Sequence, residues 1–421
     1  MNDMIPVDKP WYQKLLLLSL LLGALGGVAA LLYTGITDRG IAAIFGDAQS
    51  GWWTGDWWWI PVTAAGGLVV AVLRKAWTIP EKVPGAIALA GQAWVEPAPA
   101  PYWVFISIIS LIAGASLGPS FGLIVIGGAF GSWLVTRLGA KEEEEAKEEY
   151  TLTGMAGSMG AAFSAPLFAV ILTSELSPTS KRNYVTAFIP QVIAATIGFV
   201  IFFGVTGTSI LGAYQLPDYV FSITHLLIGA LLGIVSVFFL ILFALIRKLV
   251  FTASAHIANP YARGVIGGAL VGLIAFALPL TATSGSSQLA FELQNSASIG
   301  AGIIAAVLIA KMFAIALSQA SGFLGGVVFP IIFIGGTAGL LVNTLFPGIP
   351  IALAVGSMLA AVPGAFLKAP LSLILIAVAT IGIAPEALMP VAIAVITAHI
   401  TLSLIQTYVV RERQIRLQTQ G

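Results

Sequence analysis

Two Gly/Pro clusters carry the residue types and spacing with the most chemistry in them: GASLGPSFG (114–122) and SGFLGGVVFP (321–330). Each interrupts an apolar stretch, 102–136 and 299–345, that is too long for one membrane span of about 20 residues. A helix that begins inside a membrane directs unpaired N–H groups and about half a positive charge into a low-dielectric cavity. Glycine at the turn lets the backbone approach a ligand. Proline in the first helical turn lacks an N–H that would be unpaired in any case. The ligand such termini favour is an anion. Neither cluster contains Lys or Arg, so the anion would be held by dipoles, which suits release as well as binding.

Composition excludes most other chemistry. Of 421 residues, 58% are hydrophobic and 9% charged, against about 25% charged in an ordinary soluble domain. A water-facing surface cannot be built from so few charges, and the reading is an all-α polytopic membrane protein whose surroundings are the lipid bilayer. The net charge of +1 offers no field for nucleic acid. There is no cysteine, and the three histidines (His225, His256, His399) are too scattered for a metal cluster. TSGSSQ (283–288) contains Ser284 but has no neighbouring His, and HExxH is absent, so an enzyme is not expected. Nothing calls for a cofactor.

The elements that position the two clusters follow from apolar stretches at 15–36, 57–73, 102–136, 151–173, 184–206, 219–246, 263–281, 299–345, 349–381 and 386–410. The order repeats. Pro119, FGLIVIGG (121–128) and GSMGAAFSAPL (157–167) are matched about 210 residues later by Pro330, IIFIGG (331–336) and GSMLAAVPGAFLKAPL (356–371). Paired interruptions in corresponding halves point to a transporter or channel site near the midplane. The expected organisation is a cytoplasmic segment 1–14, a repeat 15–213 with an acidic loop 138–150, a repeat 214–410, and a short tail 411–421 with no appended soluble domain. The run 15–32 is too long for a signal-peptide core and reads as a retained helix.

From about residue 15 to 410 the chain resembles the CLC family of chloride channels and proton-coupled chloride exchangers. GASLGPSFGLIVIGG (114–128) is similar to the family's GxEGP motif, and FSAPLFAVILTSEL (163–176) to its NAPL helix. TSGSSQ (283–288) and SGFLGGVVFP (321–330) resemble its TSG and GxFxP segments, and LKAPLSLILI (367–376) its second APL helix. The resemblance implies a homodimer, an inverted repeat of broken, tilted helices in each subunit, and one anion pathway per subunit. The implied pore residues are Ser116, Leu117, Gly118, Gly326, Val327 and Val328, with Trp77, Thr78 and Tyr408 at positions where the family supplies hydroxyl ligands.

The departures shape the expected function. Leu117 stands where the family carries its gating glutamate, and Leu176 where exchangers carry an internal proton acceptor; Glu175 is the nearby acid. Trp77 replaces the anion-ligand serine. The reading is a passive anion channel, chloride first, without proton coupling, in which Leu117 could act as a hydrophobic constriction. The alternatives are a coupled transporter using other groups, such as Glu175 or a water chain, and a non-conducting relative plugged by Trp77 and Leu117. The expected location is a bacterial inner membrane.

Other charges read as structural. Glu175 is expected at a helix end near Lys181 or Arg182, Lys368 at a helix-end surface, and the three His at packing or interface positions. KEEEEAKEE (141–149) reads as a solvated helical loop with no apolar face. Arg74–Lys75, Lys181–Arg182, Arg247–Lys248 and Arg411, Arg413 and Arg416 should be cytoplasmic, and GWWTGDWWWI (51–60) should sit at a membrane interface.

Overall fold

A chain this apolar must close its backbone hydrogen bonds within each segment, and helices do so. The computed structural model describes residues 9–46, 55–139, 144–177, 184–208, 214, 216–217, 220–381 and 388–419. These form fifteen α-helices with no strand among the described residues. The first set is α1 (Pro10–Phe45), α2 (Trp59–Ala76), α3 (Ala86–Gln92), α4 (Ala100–Ile112), α5 (Ser120–Arg137), α6 (Glu144–Phe163), α7 (Pro166–Leu176) and α8 (Tyr184–Thr206). The second is α9 (Thr224–Ala255), α10 (Pro260–Ala277), α11 (Ser286–Ala320), α12 (Val328–Leu345), α13 (Ile351–Leu367), α14 (Pro370–Ile381) and α15 (Leu388–Thr419). Nine helices among the described residues are long and apolar enough to cross a membrane.

The two sets are copies of one plan. The pairs are α1 with α9, α2 with α10, α5 with α12, α6 with α13, α7 with α14 and α8 with α15. The counterpart of α3 plus α4 is α11, which loses helical geometry at Asn295 and Gly300. Residues with positive φ recur in step: Thr78 with Thr283, Ala93 with Gly300, Gly114 with Gly322, and Ser164 with Lys368. The breaks at both Gly/Pro clusters and at both APL segments are therefore properties of the plan. Pro166 opens α7, and Pro370 opens α14, as a residue that needs no N–H partner there.

Small residues set the spacing between the halves. Where α2 crosses α10, a Cβ on Gly67 would lie 2.0 Å from the Gly264 carbonyl oxygen, and one on Gly264 would lie 2.4 Å from that of Gly67. Backbones this close are the membrane form of helix packing, in which dispersion replaces the hydrophobic effect.

The acidic run differs from expectation. Residues 141–143 lie outside the described set, but Glu144 onward is the start of α6, and Ala146 and Glu149 are buried. The cause is docking of this end on α1: Tyr150 donates to the Trp11 carbonyl at 3.2 Å, Lys9 pairs with Glu145 at 2.8 Å, and Tyr12, Leu15 and Val135 complete an apolar patch. The run thus has an inward face, and α1 already begins at Pro10. In the Trp cluster, 51–54 lie outside the described residues; Trp57 and Trp58 are exposed, while Trp59 turns inward against Phe45.

Substitution Gly67→Ala should lower the thermal midpoint of the detergent-purified protein, at a cost of about 1–3 kcal/mol for overpacking. Gly204→Ala, on a part of α8 with nothing within 4 Å of the new Cβ, should leave it unchanged or slightly raised. Equal midpoints would contradict the packing assignment.

Candidate functional site

The site is built where the two broken helices begin. The Gly118 amide donates to the Gly326 carbonyl at 2.7 Å, and the Gly326 amide donates back to Gly118 at 2.7 Å, in an antiparallel bridge. These residues are 208 positions apart, and the same offset governs what surrounds them. Ser110 Oγ on α4 accepts from the Leu324 amide at 3.0 Å; Ser318 Oγ on α11 accepts from the Ser116 amide at 3.0 Å. Each hydroxyl also donates to its own helix, to Ile106 and Ala314 respectively. Each repeat therefore holds the pre-helix turn of the other. Neither serine was singled out by the sequence reading; their equal spacing from the two Gly-Pro breaks is the signal that could have found them.

The contact needs glycine. A Cβ on Gly326 would lie 1.8 Å from Ser120 Oγ and 2.8 Å from the Phe121 amide nitrogen. The tips of α5 and α12 are thus packed side against side. In their first turns the amides of Ser120, Phe121 and Gly122, and of Val327, Val328 and Phe329, have no hydrogen-bond partner among the described residues. Ser120 Oγ is also buried and unpartnered. Buried orphan donors of this kind are costly, and an anion is the ligand they favour.

The expected pore residues divide. Ser116, Leu117, Gly118, Gly326 and Val328 are buried together at the tips, with Val327 half-buried beside them. Several amides of this set are already used: Ser116 by Ser318, Leu117 by the Ala115 carbonyl at 2.7 Å, and Gly118 and Gly326 by each other. Val327 and Val328, both in the expected set, keep free amides; the other free donors are Ser120, Phe121, Gly122 and Phe329. Leu117 is 1% exposed and packs over Gly325, whose added Cβ would lie 2.6 Å from Leu117 Cβ. Phe329 stacks on Phe163 at 4.8 Å and borders Gly118.

Trp77, Thr78 and Tyr408 are not brought to this point. The Trp77 ring packs on Tyr102 and Phe105, on the face of α4 turned away from Ser110. Thr78 is exposed in the left-handed region, and Tyr408 is 63% exposed on α15. Trp77 therefore does not plug the tips. Leu176 ends α7 and packs into the core. Glu175 accepts from the Leu371 and Ser372 amides at 2.8 and 2.9 Å, so it caps the N-terminus of α14. Lys181 and Arg182, its expected neighbours, lie outside the described residues. Lys368 is exposed at the end of α13.

Three arginines tie helix ends together. Arg74 donates to the Gly322, Pro80 and Glu81 carbonyls, Arg247 to Gln319 Oε1, and Arg263 pairs with Glu81. They join the ends of α2 and α11 to the start of α10.

Serine-to-alanine changes test the cross-repeat lock. Ser110→Ala and Ser318→Ala should each strand a buried amide and lower unfolding stability by about 1–3 kcal/mol. Thermal unfolding of the purified variants should show two losses of similar size; a silent pair would contradict the lock.

Residues 66–403 match the family model described as voltage gated chloride channel. An uncharacterized protein of Methanocaldococcus jannaschii is 32% identical over 211 residues, covering 47% of this chain and 50% of that protein. YfeO of Salmonella typhimurium, named for a proposed ion-transport role, is 27% identical over 276 residues, covering 62% and 63%. The chain thus aligns with between half and two thirds of the length of these relatives. Among solved structures, a slow cyanobacterial Cl-/H+ antiporter superposes with a TM-score of 0.81 at 18% identity, over 96% of this chain and 99% of the other. A CLC-type fluoride/proton antiporter gives 0.75 at 20% identity, over 92% and 95%. These two show a shared fold. The chain is a multi-pass membrane protein that belongs to the voltage-gated chloride channel family, the CLC channels and transporters.

Proposed function

We propose that the protein is a passive anion pathway, with chloride the first candidate, in which helix-terminal amides hold the ion and no proton is exchanged. The observation that carries this reading is the pair of adjoining helix starts with six unpartnered amides and the Ser120 hydroxyl. Such donors stabilise an anion through fixed dipoles and leave it free to move on. Leu117, apolar and packed over Gly325, supports the absence of a carboxylate gate, and Leu176 that of an internal proton acceptor. Glu175 is occupied as a cap, which argues against it as a substitute. Two subunits, each with its own pathway, are the assembly that the resemblance implies.

A proton-coupled exchanger has one observation in its favour. Glu292 is wholly buried, accepts from Thr337 Oγ1 at 2.6 Å through one oxygen, and leaves Oε1 without a partner. A carboxyl so placed could carry a proton.

Purified protein in liposomes with a chloride gradient separates these readings when chloride efflux and internal pH are read together. With voltage clamped by valinomycin, efflux without a pH change is expected, and Leu117→Glu should make that efflux slower and pH-dependent. Protons driven against their gradient would overturn the passive reading. Silence to chloride, nitrate, bicarbonate and fluoride alike would favour a non-conducting relative.

A further inference from the structure

One full positive charge lies behind the tips in a position the dipole account does not use. Lys311, on α11, is wholly buried. Its Nζ donates to the carbonyl oxygens of Thr281 at 3.0 Å, Ala282 at 3.3 Å and Thr283 at 2.7 Å. Three acceptors take all three N–H groups of an ammonium, a set that a neutral amine cannot fill. The ammonium also lies 5.0 Å from the centre of the Phe333 ring, which favours a cation.

Two links tie this ammonium to the candidate site. The Thr281 oxygen that accepts from Lys311 also accepts from Ser116 Oγ, at 3.4 Å. The 281–283 turn, with Thr283 in the left-handed region, is thereby held against the turn that leads into α5. Along α12 the order of charge is also set. Lys311 lies over Phe333, five residues into the helix from Val328, while Glu292 is bonded to Thr337, nine residues in. At 1.5 Å rise per residue these levels are about 7.5 and 13.5 Å from the tip. The pair therefore presents its positive member to the tips and its acidic member away from them.

We propose that Lys311 is a positioning and selectivity residue of the anion pathway: it braces the 281–283 turn against Ser116 and supplies the full charge that draws an anion to the paired helix starts. This rests on the anion-pathway reading and deepens it. An ammonium enclosed by carbonyls does not need to touch the ion to act on it. Through a poorly screened interior, one unit charge at about 10 Å changes occupancy about tenfold at an effective dielectric constant near 20.

The test uses full-length protein in liposomes and three readouts: half-saturating chloride for efflux, the anion-to-cation permeability ratio from salt-dilution potentials, and chloride binding by calorimetry. Lys311→Met alone would leave a buried acid without its counter-charge, so the informative variant is the double change Glu292→Gln with Lys311→Met, which removes both charges together and keeps the volume. Its monodispersity and thermal midpoint report folding. Lys311→Arg keeps the charge. Because the opposing charge of Glu292 is removed with it, a folded double variant should need about threefold more chloride for half-saturation and binding, with a lower permeability ratio, while Lys311→Arg should stay close to wild type. Wild-type values in the double variant, or equal losses in Lys311→Arg, would overturn the charge role and leave a brace. Wild-type protein that neither transports nor binds chloride would overturn the underlying anion reading instead.

Discussion

The architecture depends on one contact: the exchange of hydrogen bonds between Gly118 and Gly326. Each glycine stands two residues before a helix that starts inside the protein, and each helix start is held by the opposite repeat. The contact is antiparallel, so the two copies run through it in opposite directions. Ser110 and Ser318 repeat the exchange one layer out, each hydroxyl oxygen accepting from a backbone amide of the other half. Broken helices are tolerated at membrane depth only where protein satisfies the freed groups. Here that satisfaction is reciprocal, so neither half completes its own break. The donors left unpaired at the two breaks lie in the first turns of α5 and α12, and they define the chemistry there.

The surrounding packing follows from the same contact. Two helix tips can approach side against side only because Gly326 has no Cβ to strike Ser120. Leu117 fills the space over Gly325, and the stacked rings of Phe163 and Phe329 close the other side. The environment is apolar and fixed, which makes partial charges on amides count for more than they would in water. Lys311 and Glu292 add a buried amine and a buried carboxyl to that environment, held by the 281–283 carbonyls and by Thr337.

The sequence reveals the fold class and the two breaks because both are written in local pattern. Apolar runs too long for one span, each cut by Gly and Pro, can mean little else, and the span 184–206 coincides with α8. The recurring IGG, GSM and APL strings expose the repeat, though only the structure fixes its offset at 208. What the sequence hides is long-range and polar. Lys311 sits in the apolar run 299–345, and nothing local says that its ammonium meets three carbonyls some 28 to 30 residues back. Glu292 is equally silent without Thr337. Trp77 shows the converse: alignment to a motif fixes backbone position but not the direction of a side chain, and this ring turns to Tyr102 and Phe105. The acidic run at 141–149 misled because a charge-rich helix end can still turn Ala146 inward once Trp11 and Tyr12 offer it a surface.

The central claim is that the unpaired amides at the starts of α5 and α12 hold the transported ion. A crystal of the protein grown in bromide tests it most directly, through the anomalous scattering of that ion. The account predicts a bromide peak within hydrogen-bonding reach of the Ser120–Gly122 or Val327–Phe329 amides, lost in a Gly326→Ala variant that crystallises in the same form. Ordered bromide elsewhere in the membrane-embedded interior, with none at these amides, would contradict it.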